Sequence, residues 1–466
     1  MEPELWQRGA GELAALIREG RVSSREVVEA HLARIAEVNE RVNAIVEVRP
    51  DEVRRQADAA DARRARGEEL GPLHGVPVSV KVNIDVADYA TTEGAAALAD
   101  RRAERDAPAV ERVRAAGAVV LARTNMPDLG LRVNTESSLY GPTHNPWRRG
   151  LTVGGSSGGE AAALASGMSP LGLGNDIGGS LRNPAYACGV ASIKPSRGRV
   201  PMASVTDPTP RPINSQIMLS EGVLARHVAD VRTGLRVVMG SHLRDPQAVD
   251  VPFEGPPRAR RVALVPTPSG GSTDAGVAEG VRRAGRALEA AGYRVEEVEP
   301  PRLVDAYLAW SELMMTSLTV AAPLIEPYLG EGGRRFLELT TVEFPSDPGA
   351  LYAMHQTRFV VEAAWREFME EYPLVVGPTW TQPPFAHGFD VRDAESALAV
   401  AEMFRFVLPA NLMGLPAACV PTGLAEGLPV GAQIIGLMYR DDLCLAAAEA
   451  IEGHLGVLTP IDPRPA

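Results

Sequence analysis

The chain has 466 residues, 45% of them hydrophobic and 23% charged, which is ordinary for a soluble globular protein able to bury a sizeable core. Its formal net charge of −12 gives no basic field to attract phosphates, which argues against a non-specific nucleic-acid binder. Cys188, Cys419 and Cys444 are too widely spaced for a CxxC motif, the start Met1-Glu2-Pro3-Glu4 is acidic where a signal peptide is basic, and no run of 18 apolar residues predicts a membrane span. Reduced, buried thiols in a cytoplasmic protein are the expectation.

Leu13, Leu16 and Ile17 fall at helical spacing before Gly20. Ser23 and Glu26 have the spacing of a capping box, ahead of a helix whose face carries Val27, Val28, His31, Leu32 and Ile35. Glu52 to Arg66 reads as a polar helix, ended by the turn-rich 71–77. Val76, Val78, Val80 and Val82 then alternate with Ser79 and Lys81, the pattern of a strand. A helix over 107–116 and a strand over 119–122 follow.

Further on, strands are predicted at 261–266, 293–298, 374–376, 418–421 and 430–435. Helices are predicted at 276–291, near 303–326 and 350–371, at 394–408 and at 442–451. Interleaved strands and helices point to an α/β protein with a central sheet. The Pro-rich stretches near 206–212 and 252–257 read as surface loops or linkers, and no internal repeat is evident.

Lysine usage narrows the search for chemistry. Lys plus Arg totals 47, yet only Lys81 and Lys194 are lysines. A chain that uses arginine wherever a cation suffices keeps lysine where arginine cannot serve. A buried lysine loses its proton, whereas arginine stays charged.

Two glycine–serine knots stand apart: Gly154-Gly155-Ser156-Ser157-Gly158-Gly159-Glu160, and Asp176-Ile177-Gly178-Gly179-Ser180-Leu181-Arg182. Their serines lie 24 residues apart. Neither lysine follows a glycine, so a Walker A loop is absent, and Gly172-x-Gly174 to Gly178 misses the dinucleotide spacing. An oxyanion hole beside a nucleophilic serine remains, and it requires a base. No HExxH or SxxK motif occurs among the alternatives. His144 is the best placed histidine but reads more simply as a loop residue before Asn145-Pro146, which leaves a lysine.

These residues resemble the amidase signature family. The resemblance rests on Gly75 to Asn83, both knots and Cys188 to Pro195. Outside that core it includes Tyr140-Gly141-Pro142 with Asn145-Pro146, Glu221 to Arg226, and Gly427 to Gly431 with Gln433. It implies a central mixed, twisted sheet covered on both faces by helices, in one domain over 1–466. Within it, an N-terminal helical segment covers about 1–70, a catalytic core about 71–200, and a substrate-side and C-terminal part about 201–466.

The resemblance also implies a Ser–cis-Ser–Lys triad that cleaves amide C–N bonds through an acyl-enzyme. Ser180 would be the nucleophile, Ser156 the bridging serine after a cis peptide bond, and Lys81 the base. The backbone N–H groups of Ile177, Gly178, Gly179 and Ser180 would hold the oxyanion. Ser157, Asp176 and Arg182 would support them. Asn175 stands where threonine is more common, with only a local change expected, and Lys194 matches a structural position.

No metal or cofactor is implied, nor a nucleic-acid or membrane partner. The partner is a small-molecule amide, and monomer and homo-oligomer both stay open. Trp310, Met314, Met315, Trp380, Phe385 and Met403, with Leu313, Met354 and Phe406, are candidates for a pocket taking an apolar or aryl group. Carbamates and esters suit the same acyl chemistry. Two alternatives stay open: the glutamine-hydrolysing subunit of a tRNA-dependent amidotransferase, and a non-catalytic binding protein on the same fold.

Overall fold

The computed structural model describes residues 3–206, 211–341 and 348–464. Its strands are β1 Ile45–Val48, β2 Pro77–Lys81, β3 Val119–Thr124, β4 Glu136–Ser137, β5 Gly141–Pro142, β6 Leu171–Asp176, β7 Ala191–Lys194, β8 Ser220–Ala225, β9 Arg261–Leu264, β10 Arg294–Glu297, β11 Leu374–Pro378, β12 Ala417–Ala425 and β13 Leu428–Gly436. Apart from the β4–β5 hairpin they form one sheet in the order β1-β3-β2-β6-β8-β7-β12-β13-β11-β9-β10. It is mixed. β3, β2 and β6 run parallel, β6-β8-β7-β12-β13-β11 alternate antiparallel, and β11-β9-β10 return to parallel.

The strand residues divide between two hydrophobic cores, one on each face. Val119 and Leu121 of β3 enter one core and Val120 the other; Ile435 and Ile434 of β13 divide the same way. Helices Ser24–Val42, Gly158–Ala165, Arg182–Cys188 and Leu303–Ile325 cover the first face, while Ala10–Arg18, Pro108–Ala115, Val228–Val238 and Asp441–Leu455 cover the second. A sheet buried on both sides needs apolar residues at successive positions, which is why several strands lack clean alternation.

Local signals explain several boundaries. Ser23 and Glu26 form the reciprocal capping box, with Glu26 N donating to Ser23 Oγ at 3.1 Å and Ser23 N to Glu26 Oε2 at 2.7 Å. The helix predicted over 394–408 is two: Ala394–Met403 and Leu408–Leu412. The backbone leaves the helical path at Phe404, and the Arg405 guanidinium turns away to bond the carbonyls of Pro268, Gly271 and Ser272 at 2.9–3.0 Å. β1, β6 and β8 are strands that periodicity does not reveal. Leu171-Gly172-Leu173-Gly174 in β6 carries too few side chains to display one. Most of the Pro-rich stretch near 206–212 lies outside the described residues.

The segment Leu303–Tyr328 is apolar and long enough to cross a membrane by length and composition. Here Leu303–Ile325 packs its buried residues, among them Trp310, Leu313 and Met314, into the first core.

Candidate functional site

Lys81 is the last residue of β2. Every residue of that strand is buried; Val78 and Val80 enter the second core, and Ser79 and Lys81 take the opposite face. The Lys81 Nζ lies 2.7 Å from Ser156 Oγ and donates to Asn175 Oδ1 at 2.8 Å. Burial pushes the ammonium down to about 7, although Glu93, Asp176 and Glu160 favour its charged form. Asn175 is thus more than the local variation expected. Its amide oxygen can only accept, so it engages one Lys81 N–H and leaves the rest of the amine toward Ser156. The signal that could have singled out Asn175 is its place on β6, the strand beside β2.

The two knots are joined directly. The Gly155–Ser156 peptide is cis. Ser157 N donates to Ser180 O at 3.1 Å, and Ser157 Oγ to Asn175 O at 3.4 Å. The Asp176 carboxylate organises the second loop. It accepts from Gly179 N at 2.8 Å, Leu181 N at 3.1 Å, Arg182 Nη2 at 2.9 Å, Arg182 Nε at 3.0 Å and Asn411 Nδ2 at 2.9 Å. Burial alone would raise this carboxyl, but the Arg182 guanidinium holds it well below the usual range. Arg182 also binds the Val407 carbonyl at 2.9 Å, with Gln433 and Asn411 as further acceptors.

The structure divides the four N–H groups expected to hold an oxyanion. Gly179 has φ +94°, and a side chain there would strike Asn183, so only glycine fits. Its N–H is committed to Asp176. The N–H groups of Ile177, Gly178 and Ser180 have no protein acceptor among the described residues. Trp310 packs over this loop: its Nε1 donates to Ile177 O at 2.9 Å, and its ring covers Gly178.

Ser156, Asn175, Ile177, Gly178 and Ser180 line a cavity of about 780 Å³. Its apolar wall is built by Trp310, Met314 and Met315 from Leu303–Ile325, Phe336 and Leu339 from Glu331–Thr341, and Val400, Ala401 and Phe404 from the 394–404 region. Arg132 also lines it, held by Asp390 at 2.8 and 2.9 Å and by Glu136 at 3.0 Å.

Three other predicted pocket residues are not on this wall. Trp380 is fully buried between Tyr186 and Phe385, at ring separations of 5.5 and 5.8 Å, and Met403 is packed in the core. Leu313, Met354 and Phe406 likewise pack in or against the core and do not line the cavity. The Phe336, Leu339 and Phe404 contributions have no sequence signal beyond apolarity.

His144 packs edge-on against His387 at 5.5 Å and does not line the cavity. Lys194 is buried and donates to Pro195 O at 2.9 Å. Among the described residues, no group of three His, Cys, Asp or Glu side chains is arranged to hold a metal ion.

A family model described as Amidase matches residues 26–445. The chain is 41% identical over 462 residues to an indoleacetamide hydrolase of Bradyrhizobium diazoefficiens, covering 97% of this chain and 88% of the relative. It is 33% identical over 487 residues to a 6-aminohexanoate-cyclic-dimer hydrolase of a Pseudomonas species, covering 97% and 95%. Among solved structures, 6-aminohexanoate cyclic dimer hydrolase complexed with substrate matches with a TM-score of 0.83 at 29% identity, covering 97% of this chain and 98% of that one.

Proposed function

The chain belongs to the amidase family and hydrolyses amide C–N bonds, and from that premise we propose that it acts on small arylacetamide-type amides through Ser180, Ser156 and Lys81. The observation that carries the substrate reading is the apolar wall of Trp310, Met314, Met315 and Phe336 around a cavity that also contains Ser180. Such a lining suits a flat aromatic acyl group. The indoleacetamide hydrolase, 41% identical over 97% of the chain, supports the same choice.

The reaction follows from the arrangement of groups. Ser180 Oγ attacks the carbonyl carbon. Its proton passes to Ser156 as Ser156 gives its own to Lys81, whose neutral amine becomes available near neutral pH because burial disfavours the ammonium. The carbonyl oxygen becomes an oxyanion, received by the N–H groups of Ile177, Gly178 and Ser180. One donor of this kind contributes about 3 kcal/mol in the transition state.

Return of the proton through Ser156 to the amide nitrogen lets the C–N bond break, releasing ammonia from a primary amide. Water then attacks the acyl-serine by the same relay and gives the carboxylic acid. Ser180 Oγ makes no hydrogen bond to protein among the described residues, and such contacts commonly tighten only when substrate binds. Asp176 and Arg182 fix the loop that presents Ser180, and Ser157 ties the two loops together. Aryl carbamates and esters fit the same chemistry.

The test is hydrolysis of indole-3-acetamide by the purified chain, followed by release of ammonia and acid, with glutamine, an anilide and an aryl ester alongside. Turnover of the arylacetamide, lost in Ser180→Ala with formation of the acyl-protein abolished, is the expected result. Activity confined to glutamine would replace the substrate reading with that of the glutamine-hydrolysing part of an amidotransferase. Full activity in Ser180→Ala would remove the mechanism.

A further inference from the structure

The relay leaves one buried titratable group beside Lys81 unused. Glu160 sits in the first turn of the helix Gly158–Ala165, four residues after Ser156, and is fully buried. Its carboxyl reaches the sheet next to the lysine. Oε2 accepts from Thr124 Oγ1 at 2.7 Å, and Oε1 bonds Ser79 Oγ. Thr124 is the residue of β3 in register with Lys81. Ser79 lies two residues before Lys81 on the same face of β2. Opposite Ser79 on β6 is Gly172, where any side chain would collide with the Glu160 carboxyl. Three strands and a helix therefore build a slot for this one acid.

Among the described residues the slot offers hydroxyls and no bonded cation. The charged groups that act on Glu160 are Lys81 from β2 and Arg123 from β3, and Arg123 bonds the carbonyls of Lys81 and Ile84 through Nη2, not Glu160. A buried acid without an ion pair resists ionisation, and burial pushes Glu160 up to about 7 against the two hydroxyl donors. It enters the range of Lys81 itself.

We propose that Glu160 is a positioning residue for Lys81, tying the strand that carries the amine to the helix that follows Ser156 and setting by its protonation the charge that the amine feels. The inference rests on the reading of Lys81 as the base. With Glu160 protonated, Lys81 still feels Glu93 and Asp176 but loses the third anion and gives up its proton more readily. With Glu160 ionised, the carboxylate favours the ammonium and withdraws the base. Lys81 and Glu160 behave as a coupled pair whose titration belongs to both.

The experiment needs no knowledge of the substrate. An aryl sulfonyl fluoride labels an activated serine: the oxygen–sulfur bond forms, fluoride leaves, and the serine proton passes to the base. The labelling rate of Ser180, followed by intact mass across about pH 5–9, shows an acid limb set by the base. Glu160→Gln keeps the volume and removes the charge. Its limb is expected to lie lower than the parent's, with little difference well below about pH 7, where Glu160 is already protonated, and labelling several-fold faster near and above it, where the parent's Glu160 ionises and holds Lys81 charged. Thr124→Val, which removes a donor that favours the ionised acid, moves the limb in the same direction and serves where the glutamine variant does not fold. Glu160→Ala, lacking the tie, labels slowly at every pH, and glutamine restores the rate.

A folded Glu160→Gln or Thr124→Val protein whose limb coincides with the parent's overturns the proposal. Lys81→Met labelling as fast as the parent overturns the base itself, a separate failure recognisable without any Glu160 variant.

Discussion

The two lysines of this chain form a natural comparison. Both are fully buried, both lie at the ends of strands of one sheet, and burial pushes both down to about 7. Their surroundings differ. Lys81 meets a serine hydroxyl and an amide oxygen, and those partners line a cavity. Lys194 bonds the Pro195 carbonyl and feels Arg182, Asp176 and Asp441 in a closed interior. Depression of a lysine is therefore a product of burial, whatever the group does. Function depends on what the neutral amine can reach.

That contrast is broken most sharply by arginine. Lys81→Arg retains a cation but cannot lose its proton, and amide hydrolysis is expected to fall by about 10²–10⁴-fold, measured as kcat/KM on the substrate that the parent turns over. Next in size is the salt bridge between the two sites. Arg182 and Asp176 are both fully buried, and removing one partner as in Arg182→Met leaves an unpaired carboxylate, with about 3–5 kcal/mol lost in denaturant unfolding.

The amide beside Lys81 sharpens the comparison by charge. Asn175→Asp sets a carboxylate against the Nζ, which favours the ammonium and raises the acid limb of kcat/KM by about one unit or more. The parent limb is expected near about 7, with activity rising as pH increases through it, because the base must lose its proton to act. An unmoved limb in this variant would show that the amine near Asn175 is not the titrating group.

A smaller effect belongs to the cavity wall. Met314→Ala should raise KM for an arylacetamide by about fivefold to tenfold with kcat little changed, as the loss of about 1 kcal/mol of apolar contact requires. Smallest of all is Lys194→Met. It should leave the acid limb in place and kcat/KM within about twofold, its effect being read in stability instead. A Lys194 variant that moved the limb would erase the distinction between the two lysines.

Legibility in the sequence follows the locality of the signal. Valine alternation places Lys81 on a strand and on the side away from the valines. The Ser23–Glu26 cap, the helix at 276–291 and the 418–435 hairpin strands are equally readable, because each depends on neighbours a few residues apart. β6 is not, since two glycines in Leu171–Gly174 remove the side chains that display a period, and the weight of Asn175 on that strand is hidden with it. The cavity wall is legible in part. Trp310, Met314 and Met315 line it, while Trp380, Phe385 and Met403 pack elsewhere, because an apolar side chain has the same sequence character in a core as on a cavity wall.

The sequence by itself determined the chemistry on offer: two serines in glycine-rich turns, an acid and an arginine flanking the second, and a rare lysine on a strand. Those are properties of residue type and short spacing. Tertiary structure alone decided that Lys81 lies 2.7 Å from Ser156, that Asp176 takes the Gly179 N–H out of the oxyanion set, and that Glu160 fills a slot opened by Gly172. Each joins groups on different elements, and the burial that lowers Lys81 exists only once the sheet is covered on both faces. The same enclosure acts on Lys194, so residue type and burial together still left the choice between the two lysines to their contacts.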